Sequence, residues 1–406
     1  MSHAGPKPAS VQAALRETTE RLARELADPA TVAPSWSELE WRVARAAAAL
    51  HGVSALLCTA LPWQGPEGWN AFLACQRSHT LARHARIQAL LALVHDRARA
   101  HGVALVALKG AALHTTGLYR PGERPMADLD LLVEPHQART AMAMLASLGF
   151  EELHVNWKHR VLAPTRREVR TALGEHADNY LKIELHERIV EMLPHRPYDI
   201  TAKVFPERAE PGVNGYPSNA SLLIHLLFHA AGAMAYRALR LIHLNDLVRL
   251  CRRLSSAEWD EVLDPLCAEQ LWWALPPLRL TSRYFPDAVP ERALATLANG
   301  CPWLVSRLAR RRTLSEVSLS YPWIEAFPGI GWAQSIGEAL GYAGSRIVPN
   351  RQTLALRELA TRNEMAASRS EWHRSSQFTR ILRWMTSRPA REETLLAVRE
   401  ALAQPN

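Results

Sequence analysis

Between Met126 and Val133 the chain reads Met-Ala-Asp-Leu-Asp-Leu-Leu-Val, and its two aspartates constrain what can surround them. Residues two apart on a strand face the same way. Asp128 and Asp130 therefore share one side of an apolar, β-prone segment, while the flanking apolar residues bury the other side. Carboxylates a few ångströms apart repel each other unless a divalent cation lies between them. A strand that is otherwise core but carries two acids at its rim points to a metal site for phosphoryl transfer. The competing interpretation is an edge strand whose acids face water.

The neighbouring segments favour the metal. Val103 to Leu108 is a continuous apolar run of strand length, closed by Lys109-Gly110, and Ala111 to Tyr119 follows as a short helix. A strand, a glycine and a helix start together form a corner that suits phosphate, because free N–H groups and the helix dipole face the anion. Only five of the 48 basic residues are lysine, so a lysine at this corner is mildly notable. Further on, residues 179–187 alternate. Tyr180, Lys182, Glu184 and His186 share one face, and Leu181, Ile183 and Leu185 the other. Two-metal phosphoryl transfer uses a third carboxylate. Glu184 is the natural choice if its strand lies beside the aspartate strand, because Glu187 and Asp178 have the wrong parity or lie at the strand's end. Arg120 and Arg124 belong to the loop before Asp128, where guanidinium groups at the mouth of a site hold triphosphate oxygens. His186 either orients a ligand or packs with a satisfied hydrogen bond.

Leu108-Lys109-Gly110, Leu118-Tyr119, Arg124-Pro125-Met126, Asp128 to Val133 and Ile183-Glu184-Leu185-His186 together resemble the bacterial "nucleotidyltransferase family protein" group. That group is a divergent branch of the DNA polymerase β-like nucleotidyltransferases, with some members in lasso-peptide and other biosynthetic clusters. Looser similarity runs from the Trp36 region to about Trp259. The resemblance implies an α+β fold, a small mixed-sheet nucleotidyltransferase core flanked by N- and C-terminal helical regions. It implies Mg²⁺ or Mn²⁺ on Asp128, Asp130 and Glu184. It also implies a nucleoside triphosphate held by Lys109, Gly110 and Arg124, with Arg120 a candidate from its loop position alone, and transfer of its nucleotidyl group to an acceptor hydroxyl. Two departures stand out: the family's Gly-Ser is Gly110-Ala111 here, and the interval from Gly110 to Asp128 is longer than usual. The acceptor is open, with a small molecule, peptide or protein favoured over RNA. The rival readings are an inactive partner-binding protein of the same fold and a nucleic-acid-binding helical protein.

The wider pattern places an α/β core, residues 101–200, between helical regions at 1–100 and 201–406. Strands are expected near 103–108, 128–134, 150–155, 159–163 and 179–187, and a helix near 136–148. Helices are also expected over Ser10–Leu26, Trp36–Ala48 and Ser78–Ala100, and residues 201–217 read as loop from their prolines and glycines. No long apolar run and no signal-like N-terminus is present, so a cytoplasmic protein without membrane contact is expected. The five cysteines lack a CxxC pair and read as reduced core thiols. His225 and His229 have metal-ligand spacing but no zincin glutamate between them, so helix packing explains them better. Trp272-Trp273, Trp303, Trp323 and Trp332 read as packing anchors. Net charge is +8, and residues 301–406 carry fifteen arginines against nine glutamates. Leu354, Leu356, Leu359, Met365, Phe378, Ile381, Leu382 and Trp384 interleave with those arginines, so the basic quarter reads as packed helices more than as a nucleic-acid arm.

Overall fold

The computed structural model describes residues 7–170, 173–194, 196–264, 269–348 and 377–404. The chain begins with helices α1 (Pro8–Ala27), α2 (Glu38–Leu50), α3 (Ser54–Ala60) and α4 (Glu67–Ala100). A capping box opens α2, with Ser37 and Glu40 each satisfying the other's backbone N–H. The start of α4 lies at Glu67, well before Ser78, because Pro66 takes the cap position and Glu67 complements the helix dipole. Its end is closed by Gly102 in a left-handed turn (φ +67°), with Val103 N–H returning to the Ala98 carbonyl at 2.9 Å. That turn delivers the chain into the sheet.

The strands are β1 (Ala104–Ala107), β2 (Asp128–Val133), β3 (Phe150–Val155), β4 (His159–Pro164), β5 (Lys182–His186), β6 (Val190–Met192), β7 (Pro197–Asp199) and β8 (Gly212–Asn214). Six of them form one mixed sheet in the order β3-β4-β5-β2-β1-β8, and β6 pairs with β7 separately. All five expected strands are present, the first and last shortened at their ends. Residues 201–217 are not all loop: β8 pairs in parallel with β1 in spite of the surrounding prolines. As an edge strand of three residues, it carries no alternation that a sequence could display. The helix expected near 136–148 is a 3₁₀ turn followed by α6 (Ala138–Ser147), and α5 (Lys109–Thr115) starts two residues earlier than the pattern suggests.

The sheet separates two cores. Leu129, Leu131, Ile183 and Leu185 face Met144 and Leu145 of α6 and Leu91 and Val94 of α4. On the other face, Val106 and Leu132 join the main core, which runs from Ala14 to Ala401. The chain continues through α7 (Thr201–Val204), α8 (Asn219–Ala235), α9 (Leu241–Cys251) and α10 (Ser256–Val262), and α8 and α9 contribute heavily to that core. The last helix, Glu392–Ala403, returns to α2: Arg45 donates to the Ala401 carbonyl at 3.4 Å. No single helix among the described residues is long and apolar enough to cross a membrane.

Several packing expectations need correction. Leu354, Leu356, Leu359 and Met365 lie outside the described residues, while Phe378, Leu382 and Met385 are exposed on the helix Gln377–Thr386. Cys75 is exposed on α4, whereas Cys251 is buried and Cys58 and Cys301 are half-buried. Trp272, Trp273 and Trp332 anchor the core as expected, but Trp303 is exposed.

Candidate active site

β5 is the parallel neighbour of β2, and their register sets Asp130 opposite Glu184 and Asp128 opposite Lys182. Because Leu129, Leu131, Ile183 and Leu185 are committed to the core on one face, the three acids emerge together on the other. β4 runs antiparallel to β5 and places His159 opposite His186. Lys109 Nζ donates to Asp130 Oδ1 at 2.7 Å, and His186 Nε2 lies 3.1 Å from the same oxygen. Glu184 Oε2 lies 3.3 Å from His159 Nε2 and 3.9 Å from His186 Nε2.

The electrostatics are those of a crowded acid cluster. Burial and the neighbouring aspartates push the Glu184 carboxyl up to about 9, so it is protonated at neutral pH. Burial and Asp130 raise Asp128 as well. Burial also acts to raise Asp130, but Lys109 and His186 outweigh it and hold this carboxyl well below its usual range. Burial opposes the Lys109 charge, and Asp130, Glu184 and Asp128 more than offset that, so its pKa is raised. One fixed ammonium thus stands among three acids, one of which keeps a proton. The cluster calls for more positive charge than the chain supplies.

Two features hold the cluster in place. Lys109 has a left-handed backbone (φ 45°), strained for a residue with a side chain. Its N–H donates to the Tyr216 hydroxyl at 3.3 Å, which in turn bonds His225 Nδ1 at 2.7 Å. Arg83, buried on α4, donates to the carbonyls of Met126, Ala127 and Asn179 and pairs with Glu175 at 3.0 Å. It therefore joins the approach to β2 to the approach to β5.

Lys109, Asp128, Asp130 and Glu184 open onto a cavity of about 480 Å³, walled on its far side by α8 and α9. A model of the uncharacterised nucleotidyltransferase family matches residues 37–275, more than half of the chain. The chain belongs to that family. The match contains the whole sheet and the cavity wall, and extends somewhat beyond the span of similarity read from the sequence. No curated protein and no solved structure matches the chain.

Within this family member, the motif residues divide into those at the acids and those beneath them. Asp128, Asp130, Glu184, Lys109, Gly110 and Arg124 all line the cavity. Arg124, however, spends its fork on Asp246, with Nε and Nη2 each donating at 2.8 Å. Tyr119 donates to the same carboxylate at 2.7 Å. Arg124 is thus a buried strut between its loop and α9, and not a free grip for phosphate. Gly110 fits that strut: a Cβ there would collide with Arg124 Nη1 and come within 2.7 Å of Met126 Sδ. Arg120 is exposed and does not line the cavity. His225 packs as expected, but His229, one turn later, lines the cavity and meets His243 edge-on at 4.9 Å between ring centres. The alternation did not single out His159, Lys158, Glu191 or Arg240, all of which the fold brings to this region. Of these, only His159 left a trace, as the first residue of an expected strand.

Proposed function

We propose that the chain is a metal-dependent nucleotidyltransferase that moves a nucleoside monophosphate from a nucleoside triphosphate to an acceptor hydroxyl and releases pyrophosphate. The register that sets Asp130 opposite Glu184, with Asp128 on the same face, carries this reading. Three carboxyl groups on adjacent strands suit hard divalent cations such as Mg²⁺ or Mn²⁺, which take oxygen donors. The protonated Glu184 and the lysine ammonium among the acids support the fit, since both substitute for missing cationic charge. Bound there, the metal would polarise the α-phosphate and neutralise the departing pyrophosphate.

The chain's own residues would do the rest. Asp128 and Asp130 would hold the nucleotide-associated ion, and Glu184 would complete a second position beside the acceptor. The acceptor oxygen would bond to the α-phosphorus as the bond to pyrophosphate breaks, and Glu184, which loses its own proton when a cation binds beside it, would help take the hydroxyl proton. Lys109 fixes Asp130 and adds charge near the phosphates. Arg240, exposed on the cavity wall and in no salt bridge among the described residues, is a better phosphate partner than Arg124 or Arg120. A cavity of about 480 Å³ has the size of a small-ligand site, which favours a small molecule, peptide or protein side chain over RNA as acceptor. The presence of all three acids argues against an inactive scaffold.

Purified full-length protein with Mg²⁺ and each nucleoside triphosphate tests the reading through pyrophosphate release. Asp128→Asn and Asp130→Asn should each lower it by about a hundredfold or more while the fold is kept. Near-normal release in either variant would refute the assignment.

A further inference from the structure

The nitrogen donors beside the acids belong to no part of the transfer scheme above. His159, Glu184 and His186 form a group in which one ligating atom from each lies within 4.8 Å of the others. Asp130 Oδ1 borders it, 3.1 Å from His186 Nε2. His186 is 5% exposed, and His159 and Glu184 are half-buried, so this is not a chance surface grouping.

The tautomer of His159 is set by its neighbours. Asn156 Oδ1 accepts from the backbone N–H groups of Lys158 and His159 at 2.8 and 2.9 Å. Its amide nitrogen must therefore be the atom 2.9 Å from His159 Nε2, so the amide donates to the one lone pair of that ring nitrogen, and a metal ion would take that lone pair in its place. The ring proton is on Nδ1, a buried atom with no hydrogen-bond partner among the described residues. This neutral tautomer, with Nε2 unprotonated and 3.3 Å from a carboxyl oxygen, is the one that ligates a metal through Nε2 once the Asn156 amide gives way. His186 would match it by moving its ring proton from Nε2 to Nδ1, with no change of charge.

We propose that His159, Glu184 and His186, bordered by Asp130, form a site for a first-row transition ion of the Co²⁺ or Zn²⁺ type, adjacent to the all-carboxylate position. Two imidazoles and a carboxylate favour such ions over Mg²⁺, which prefers oxygen donors and retains its waters. Glu184 would then bridge two unlike positions, one hard and one borderline. The inference goes beyond the transfer reading and does not require it, because it concerns metal uptake without nucleotide.

The test is a titration of the full-length protein with Co²⁺, read by visible absorption in excess Mg²⁺ and without triphosphate. One Co²⁺ should bind with an absorption band typical of mixed nitrogen and oxygen ligation. His159→Ala and His186→Ala should each weaken binding at least tenfold and bleach the band. His159→Gln, which keeps a polar side chain beside Asn156, should do the same with an unchanged melting temperature. Asp128→Asn should lose pyrophosphate release and keep the Co²⁺ band, which separates failure of this site from failure of the transfer reading. Absence of the band in wild-type protein, or an unchanged band in a folded histidine variant, would overturn the proposal and leave the imidazoles as hydrogen-bond partners of the acids.

Discussion

Glu184 and Lys109 have opposite roles in the same few ångströms. Lys109 neutralises Asp130 at 2.7 Å, whereas Glu184 has no cationic partner that close among the described residues and keeps its proton. The nucleotide-associated ion would rest mainly on the two aspartates. Glu184→Gln should therefore retain triphosphate affinity within a few-fold and lose transfer by about a hundredfold or more. Equilibrium binding of a non-hydrolysable analogue, set beside turnover, checks this. Lost binding with intact turnover would mean that another group supplies the third ligand. At this scale the acids were legible because strand parity alone sorts them. The true role of Arg124 was not, because its partner Asp246 lies on α9, 122 residues further along the chain.

Among the elements, Arg83 of α4 does for β2 and β5 what no sheet hydrogen bond does: it fixes the segments that lead into both. Replacing it strands several carbonyls and Glu175 in a buried setting, at a cost of about 3 kcal/mol. A displacement of about 1 Å at the reacting groups is worth roughly a hundredfold in rate. Arg83→Gln should accordingly melt earlier and turn over at least about tenfold more slowly at saturating triphosphate, and unchanged turnover in this variant would show that the strands hold their own register. The strands themselves were readable from period-two alternation and apolar runs. β8 was not, since three residues between prolines gain their place only by pairing with β1. His159 escaped notice for a related reason: the sequence marks it only as the start of a strand, and the antiparallel pairing with β5 is what sets it opposite His186.

For the molecule as a whole, the helical regions share the main core with one face of the sheet, and His51 shows how closely the helical regions are joined. Its Nδ1 accepts the Leu241 N–H at 2.9 Å, and its Nε2 meets Ser320 Oγ at 2.9 Å, tying α2 to α9 and to the C-terminal region. Burial, aided by Arg240, lowers its pKa to about 3. Protonation would set a proton against the Leu241 N–H. The unfolded chain takes up that proton near pH 6.5 and the folded chain only near 3. Stability from this group is therefore complete above pH 6.5 and falls by up to about 1.4 kcal/mol per pH unit below it. Urea midpoints should drop between pH 7 and 5, with a shallower drop in His51→Gln; equal slopes would contradict the assignment. The central claim is that the acids transfer a nucleotidyl group, and position-specific labelling of the triphosphate tests it most directly. With Mg²⁺ and an acceptor pool from cell extract, label at the α-phosphate should become covalently attached to an acceptor and label at the γ-phosphate should leave in pyrophosphate, both abolished in Asp130→Asn. Attachment of the γ-label, or α-label transfer that survives in that variant, would contradict the account.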